Sequence, residues 1–499
     1  METRKSPWQS IVILAVLTLT LFSFQTIVSA QAPAPAKQKT TQKPAPKPSR
    51  QMSAADTVWD LVVAGGTVVT MDTSHRIIEN GIVVIQGDTI VDVEPSTPAA
   101  INKYLYTAKT KIEAKGKLVL PGFINGHTHA PMTLFRGLKD DVTLEEWLTK
   151  SIFPAEAKNV NEEFVRWGTR LAIAEQIRGG VTTFADMYYF EDAIAEETKA
   201  AGMRGVLGET ILDFPAPDNK DNAAMLDYTE KFLQRWHGDP LIHAAVAPHS
   251  IYTDSEKTLK DSAALARKYN APILIHVAET KKELNDSREK NGTTPVQYLE
   301  KLGILGPDVL AAHCIWVDEA DRKILAERHV GCVHNPSSNM MLASGVAPVI
   351  EERAAGIAVG LGTDGPAGSN NDLNLMEEMD LAAKLQKITK MDPRALGAKA
   401  VVEMATIDGA RVLHMEKEIG SLEAGKKGDL ILIGLDAPNA VPMYDVYAQL
   451  AYALKGNDVE TVIIGGRIVM RDKKLLTVDE PAAIAKAREF QKKIEASLK

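Results

Sequence analysis

Eight short apolar runs, each closed by a polar or ionisable residue at its C-terminal end, constrain this chain more than any other feature. The runs cover residues 118–125, 182–187, 205–209, 244–247, 273–277, 309–313, 331–333 and 358–362. Stretches with helical periodicity, such as residues 161–178 and 255–269, lie between them. Runs this short and this apolar suit strands buried on both faces, and eight strand-then-helix units favour a closed parallel barrel over an open doubly wound sheet. His127, Asp186, Glu209, His249, His276, His313, Asn335 and Asp364 all fall at or just beyond the ends of their runs. Catalytic groups of such barrels sit at that face, where the loops after the strands converge.

Two β-rich stretches flank this alternating region. Residues 61–71 and 81–88 form one, residues 429–433 and 462–469 the other, and each contains a Gly-Gly turn before a β-branched run. The expected architecture is therefore α/β. A distorted (β/α)8 barrel spans residues 121–415, with a small β-sandwich domain built from both ends of the chain, residues 56–120 and 416–478. A C-terminal helix takes residues 479–499.

The first 55 residues stand apart. Arg4 and Lys5 precede an apolar run at residues 11–24, and Val28-Ser29-Ala30 offers a small-residue cleavage site. The run is shorter than the roughly 20 residues that span a bilayer, so residues 1–30 are expected to be an export signal, with no membrane anchor after cleavage. Residues 31–55 are rich in Pro, Ala, Lys and Gln and are expected to be a disordered linker. The formal net charge is −8, but residues 1–50 contribute +6, leaving −14 on the body. So acidic a body argues against nucleic acid as a partner and for a small-molecule substrate, and it leaves room for a homo-oligomer. The two cysteines, Cys314 and Cys332, lie inside apolar runs and are expected to be buried thiols.

The chemistry concentrates in a few segments. Residues two apart in an extended segment point the same way, so His127-Thr128-His129 aims two imidazoles at one point. His276 ends an aliphatic run, Glu279 follows three residues later, and His313 and Asp364 end two further runs. An imidazole or carboxylate is costly to bury unless it is bonded. Several of them converging on one barrel mouth indicate a metal-assisted active site rather than packing.

The motifs Pro121-Gly122-Phe123-Ile124-Asn125-Gly126-His127-Thr128-His129, Pro248-His249-Ser250, His276-x-x-Glu279-Thr280, Ala312-His313-Cys314, His334-Asn335-Pro336-x-Ser338-Asn339 and Gly362-Thr363-Asp364-Gly365 resemble the metal-dependent amidohydrolase superfamily. The resemblance is greatest to its methylthioadenosine/S-adenosylhomocysteine deaminase branch, kin of chlorohydrolases and guanine deaminase. It covers about residues 60–478. It implies that His127, His129, His276 and Asp364 bind one divalent ion, Zn or Fe. It also implies that Glu279 shuttles a proton, that Asp364 assists as base and that His313 steadies the tetrahedral oxygen. Trp147, Glu156, His249 and Glu279 are the implied substrate contacts, and Glu209 is a further candidate from its place at the third strand end. No lysine stands at a strand end to bridge two metals, which favours one. The implied reaction is hydrolytic release of ammonia from an adenosine-type nucleoside. Attack on another N-heterocycle, as in triazine hydrolases or guanine and cytosine deaminases, is the alternative.

One departure bears on substrate choice. S-adenosylhomocysteine-using members place arginine at the third strand end and in the loop after it. Here Glu209 occupies the strand end, and residues 214–221 contain no arginine. If Glu209 faces the mouth, it disfavours a substrate carboxylate.

Overall fold

A computed structural model describes residues 58–499. The expected export signal, its cleavage site and the expected linker up to residue 55 lie outside the described residues. Among those described, no helix is long and apolar enough to cross a membrane.

Eight strands form one all-parallel sheet in chain order: β1 (Phe123–Thr128), β2 (Val181–Tyr188), β3 (Arg204–Ile211), β4 (Ile242–Pro248), β5 (Ile273–Val277), β6 (Val309–His313), β7 (Gly331–His334) and β8 (Val359–Leu361). Nearly every residue in them is buried, as expected of strands covered on both faces. The sheet closes where the Thr128–Asp364 bridge joins the first and last strands. Thr363 and Asp364 both donate their N–H groups to His127 O, at 3.2 and 2.9 Å. Gly362 permits this approach, since a Cβ there would meet His127 N at 2.9 Å. Closure therefore sets Asp364 against His127.

The helices between strands carry clear local signals. The side chain of Asn161 caps Glu162–Arg178 by accepting from Phe164 N, and Ser255 caps Glu256–Tyr269 by accepting from Thr258 N. The latter helix ends at Asn270 in the left-handed region.

The first apolar run divides where the sequence suggested continuity. Lys117–Pro121 leaves the barrel and pairs antiparallel with Leu430–Gly434, while β1 begins only at Phe123. The pivot is Gly122, whose N–H goes to Asp429 O while Phe123 N goes to Gly180 O. One connected run thus serves two sheets.

The terminal strands come together in one mixed, hydrogen-bonded sheet of nine strands. Leu430–Gly434 pairs with Lys117–Pro121 on one edge and with Val459–Ile464 on the other, joining the two halves of the chain edge to edge. The C-terminal helix Glu480–Ser497 lies on Glu162–Arg178, with Phe490 against Phe164 and an Arg178–Glu480 pair at 2.5 Å. Cys314 and Cys332 are buried free thiols whose sulfurs stand 3.0 Å apart.

One ion pair ties the barrel to the second sheet. Arg204, on β3, is only 1% exposed and reaches Asp429 at 3.1 Å. Its Nη1 donates to Pro240 O at 2.8 Å, and Asp429 also accepts from Gly465 N at 2.6 Å. Removing one partner strands a buried charge. Arg204→Ala is therefore expected to destabilise the fold by about 3–5 kcal/mol, read as a lower midpoint in urea or on heating. A midpoint equal to the parent's would show that the pair does not hold the two units together.

Candidate metal centre and active-site pocket

The strand ends deliver their polar residues to one buried cluster. Ligand atoms of His127, His276, His313 and Asp364 all lie within 4.8 Å of one another. His129 joins them, with its Nε2 3.2 Å from Asp364 Oδ1, while His127 Nε2 is 3.3 Å from the same oxygen. Two ligands bound about 2.1 Å from one tetrahedral ion stand about 3.4 Å apart. The spacing suits a shared cation.

Three of the rings are oriented from behind. His129 Nδ1 lies 2.6 Å from Met187 O, His276 Nδ1 is 2.9 Å from His249 O, and His313 Nδ1 is 3.0 Å from Asn339 Oδ1. Carbonyl oxygens only accept, so the Nδ1 atoms of His129 and His276 donate and their Nε2 atoms are turned toward the cluster, while His313 Nδ1 also lies 3.3 Å from Asn335 Nδ2. The Nε2 atoms of His127 and His313 are buried with no hydrogen-bond partner. An orphaned buried imidazole nitrogen is costly, and a metal ion satisfies it. The donor set fits a divalent ion.

Asp364 is fixed as firmly. Ser338 Oγ donates to its Oδ2 at 2.7 Å and Gly365 N to its Oδ1 at 2.7 Å. Burial alone would raise this carboxyl, but the adjacent His127 and His129 imidazoles hold it well below its ordinary value. Burial lowers His127 to about 4 and His276 well below the usual imidazole range, which keeps both rings neutral as ligation requires. Asp186 accepts from Thr128 Oγ1 at 2.6 Å and from Ala130 N at 2.5 Å, clamping both sides of the His127–His129 turn.

Backbone strain collects at the same mouth. Ala278, His313, Cys314 and Asp364 have φ of +52°, +75°, +47° and +65°. Left-handed backbone at non-glycine residues is unfavourable and persists only where surrounding structure enforces it. At Ala278 the enforcer is Glu283, whose carboxylate accepts from Ala278 N at 3.0 Å and Glu279 N at 2.7 Å. That grip aims Glu279 into the cluster, where its Oε1 is 4.0 Å from His313 Nε2. Burial raises the Glu279 carboxyl, the direction a proton carrier working near neutrality needs.

A pocket opens above the cluster and brings together most of the residues read from the sequence: Trp147, Glu156, His249, Glu279, His313 and Asp364 line it with His129 and His276. Trp147 spends its Nε1–H on Ala367 O at 2.9 Å, so it offers the pocket a ring and no donor. Glu156 accepts from Tyr188 OH at 2.7 Å, and burial lifts its carboxyl to about 7.

Glu209 is not where the sequence reading placed it. Along β3, Val206 belongs to the barrel interior, whereas Leu207 and Ile211 pack into the outer helical layer, and Glu209 shares their side. It is fully buried, accepting from Asn219 Nδ2 at 3.1 Å and Glu191 N at 3.2 Å. Thr210, its neighbour, lines the pocket instead. Tyr188, Tyr189 and Tyr252 also line it, and nothing in the motifs marked them.

Nitrogen and carboxylate donors gathered at the C-terminal mouth of a parallel barrel define an enzyme built around a metal. Residues 118–469 match the model of the Amidohydrolase family, and the chain belongs to that family. It is 45% identical over 440 residues to a 5-methylthioadenosine/S-adenosylhomocysteine deaminase of Syntrophus aciditrophicus, covering 88% of this chain and 98% of the relative. It is 42% identical over 431 residues to a 5'-deoxyadenosine deaminase of Methanosarcina acetivorans, covering 86% and 97%. Among solved structures, an adenosine deaminase from Xanthomonas campestris with bound zinc superposes with a TM-score of 0.85 at 35% identity, covering 88% of this chain and 99% of the other.

Proposed function

We propose that this enzyme is a metal-dependent aminohydrolase that releases ammonia from an adenosine-type nucleoside, leaving the inosine-type product. The observation that carries the proposal is the buried convergence of unpartnered imidazole nitrogens with Asp364 and Glu279 beneath a single pocket. Relatives named for methylthioadenosine, S-adenosylhomocysteine and 5'-deoxyadenosine support the substrate class.

His127, His129, His276 and Asp364 would hold one divalent ion, zinc or iron. When bound, it supplies Lewis-acid activation of water at neutral pH. Asp364 takes a proton from the attacking water as its oxygen bonds to C6 of the purine. Glu279 delivers a proton to the adjacent ring nitrogen, so that negative charge does not build up on the ring. His313, its Nε2 turned inward by Asn339, faces the oxygen on the tetrahedral carbon and steadies it. The C6–N bond then breaks: the amino group leaves as ammonia with the proton Asp364 took from water, and the remaining hydroxyl proton passes to Glu279 as the C6 carbonyl forms, restoring both carboxyl groups. His249 meets the base or sugar, and Glu156 receives sugar hydroxyls.

Purified, metal-replete protein assayed for ammonia release tests this directly. Adenosine, 5'-deoxyadenosine and methylthioadenosine are expected to give the highest kcat/KM. Turnover confined to guanine, cytosine or a triazine would overturn the nucleoside reading in favour of another amidohydrolase reaction.

A further inference from the structure

The depth of the pocket sorts its residues by chemistry. Its buried floor is imidazole and carboxylate, while its mouth is largely apolar, with Tyr252 the most exposed residue that lines it. One segment supplies most of that mouth: Leu144, Leu148 and Phe153 are half-buried, with Ile152 and Trp147 just beneath them. No lysine or arginine lines the pocket anywhere.

A second apolar residue closes the rim. Phe214, 36% exposed, packs edge-on against Phe153 with ring centroids 5.4 Å apart. It sits in the connection after β3, residues 212–221, which is tied down rather than loose. Asp213 accepts from Ser255 N and Asp218 from Phe190 N, each at 2.6 Å, and Asn219 holds Glu209. Buried Glu209 thus serves as an anchor for this wall. The connection also carries Asp213, Asp218 and Asp221, against the single cation Lys220, whose side chain is 85% exposed. Among the described residues, no lysine or arginine lines the pocket, and Lys220 is the one cation in this connection.

We infer that the mouth selects nucleosides whose 5′ substituent is uncharged and apolar, such as a methyl or methylthio group, with Phe153 and Phe214 as specificity-determining residues. The inference rests on the nucleoside reading above. With the purine's reacting edge on the floor, the 5′ end of the nucleoside lies at the mouth, among these rings. A methyl or thioether leaves water there favourably. The zwitterionic end of a homocysteine tail must shed part of its hydration with no cation to replace it, beside a surface already acidic.

The test compares kcat/KM for 5'-deoxyadenosine, methylthioadenosine and S-adenosylhomocysteine in the wild type, Phe214→Arg and Phe214→Ser. The wild type is expected to prefer methylthioadenosine to S-adenosylhomocysteine by more than about tenfold. Phe214→Arg should shrink that ratio by raising kcat/KM for S-adenosylhomocysteine. Phe214→Ser should shrink it by lowering methylthioadenosine use, chiefly through KM, and its partly exposed site makes it a mild change for folding. S-adenosylhomocysteine used as well as methylthioadenosine, or a ratio that neither variant moves, overturns the apolar-mouth inference while leaving deamination intact. Failure of all three nucleosides to react overturns the nucleoside reading itself, and the inference with it.

Discussion

Glu279→Gln should lower kcat by roughly 10²–10⁴ while leaving metal content and thermal midpoint close to the parent's, the usual worth of a positioned proton carrier. The substitution keeps the shape of the side chain and removes only its ability to give and take a proton. Its backbone is held independently, by the Glu283 carboxylate on the N–H groups of Ala278 and Glu279, so the turn should survive the change. KM should move little, because the missing interaction forms mainly as the ring nitrogen gains its proton. Steady-state kinetics beside a metal assay separate the outcomes. A variant with near-normal turnover would remove Glu279 from the proton path, and loss of metal would reassign it to the ligand set.

The centre could be read from the sequence because its groups are expensive where they stand. His276 and His313 each end an aliphatic strand, and a buried imidazole there needs a partner strong enough to offset its lost hydration. Eight strands in chain order then leave one place for their C-terminal residues to meet. Glu209 shows where that logic stops. Strand residues alternate between faces, so a shift of one position exchanges inside for outside. Counting from Val206 puts Thr210 in the pocket and Glu209 behind it. The inference that a carboxylate tail is disfavoured rests on different ground, the largely apolar mouth from Leu144 to Phe214. That ground was hidden because Leu148 and Phe153 look like ordinary helix-packing residues, and their proximity to Phe214 depends on a contact across 61 positions of chain. The split at Gly122 was equally hidden, since a continuous apolar run does not announce that two sheets share it.

The second large effect concerns the ion itself. His276 presents Nε2 to the cluster because His249 O holds its other nitrogen. His276→Ala deletes one of the donors, and the remaining groups face each other without a shared cation. Metal and deaminase activity should vanish together, with the barrel still folded, since the residue sits at the open end of β5 and not in its packed middle. The decisive measurement is made on the wild type: chelate the protein, titrate it with zinc, and follow bound metal and ammonia release from a nucleoside in the same samples. Activity should start near zero and rise in proportion to bound metal, with a break at one ion per chain. A break at two ions, or full activity in the chelated protein, would contradict a single ion held by His127, His129, His276 and Asp364 as the centre of the reaction.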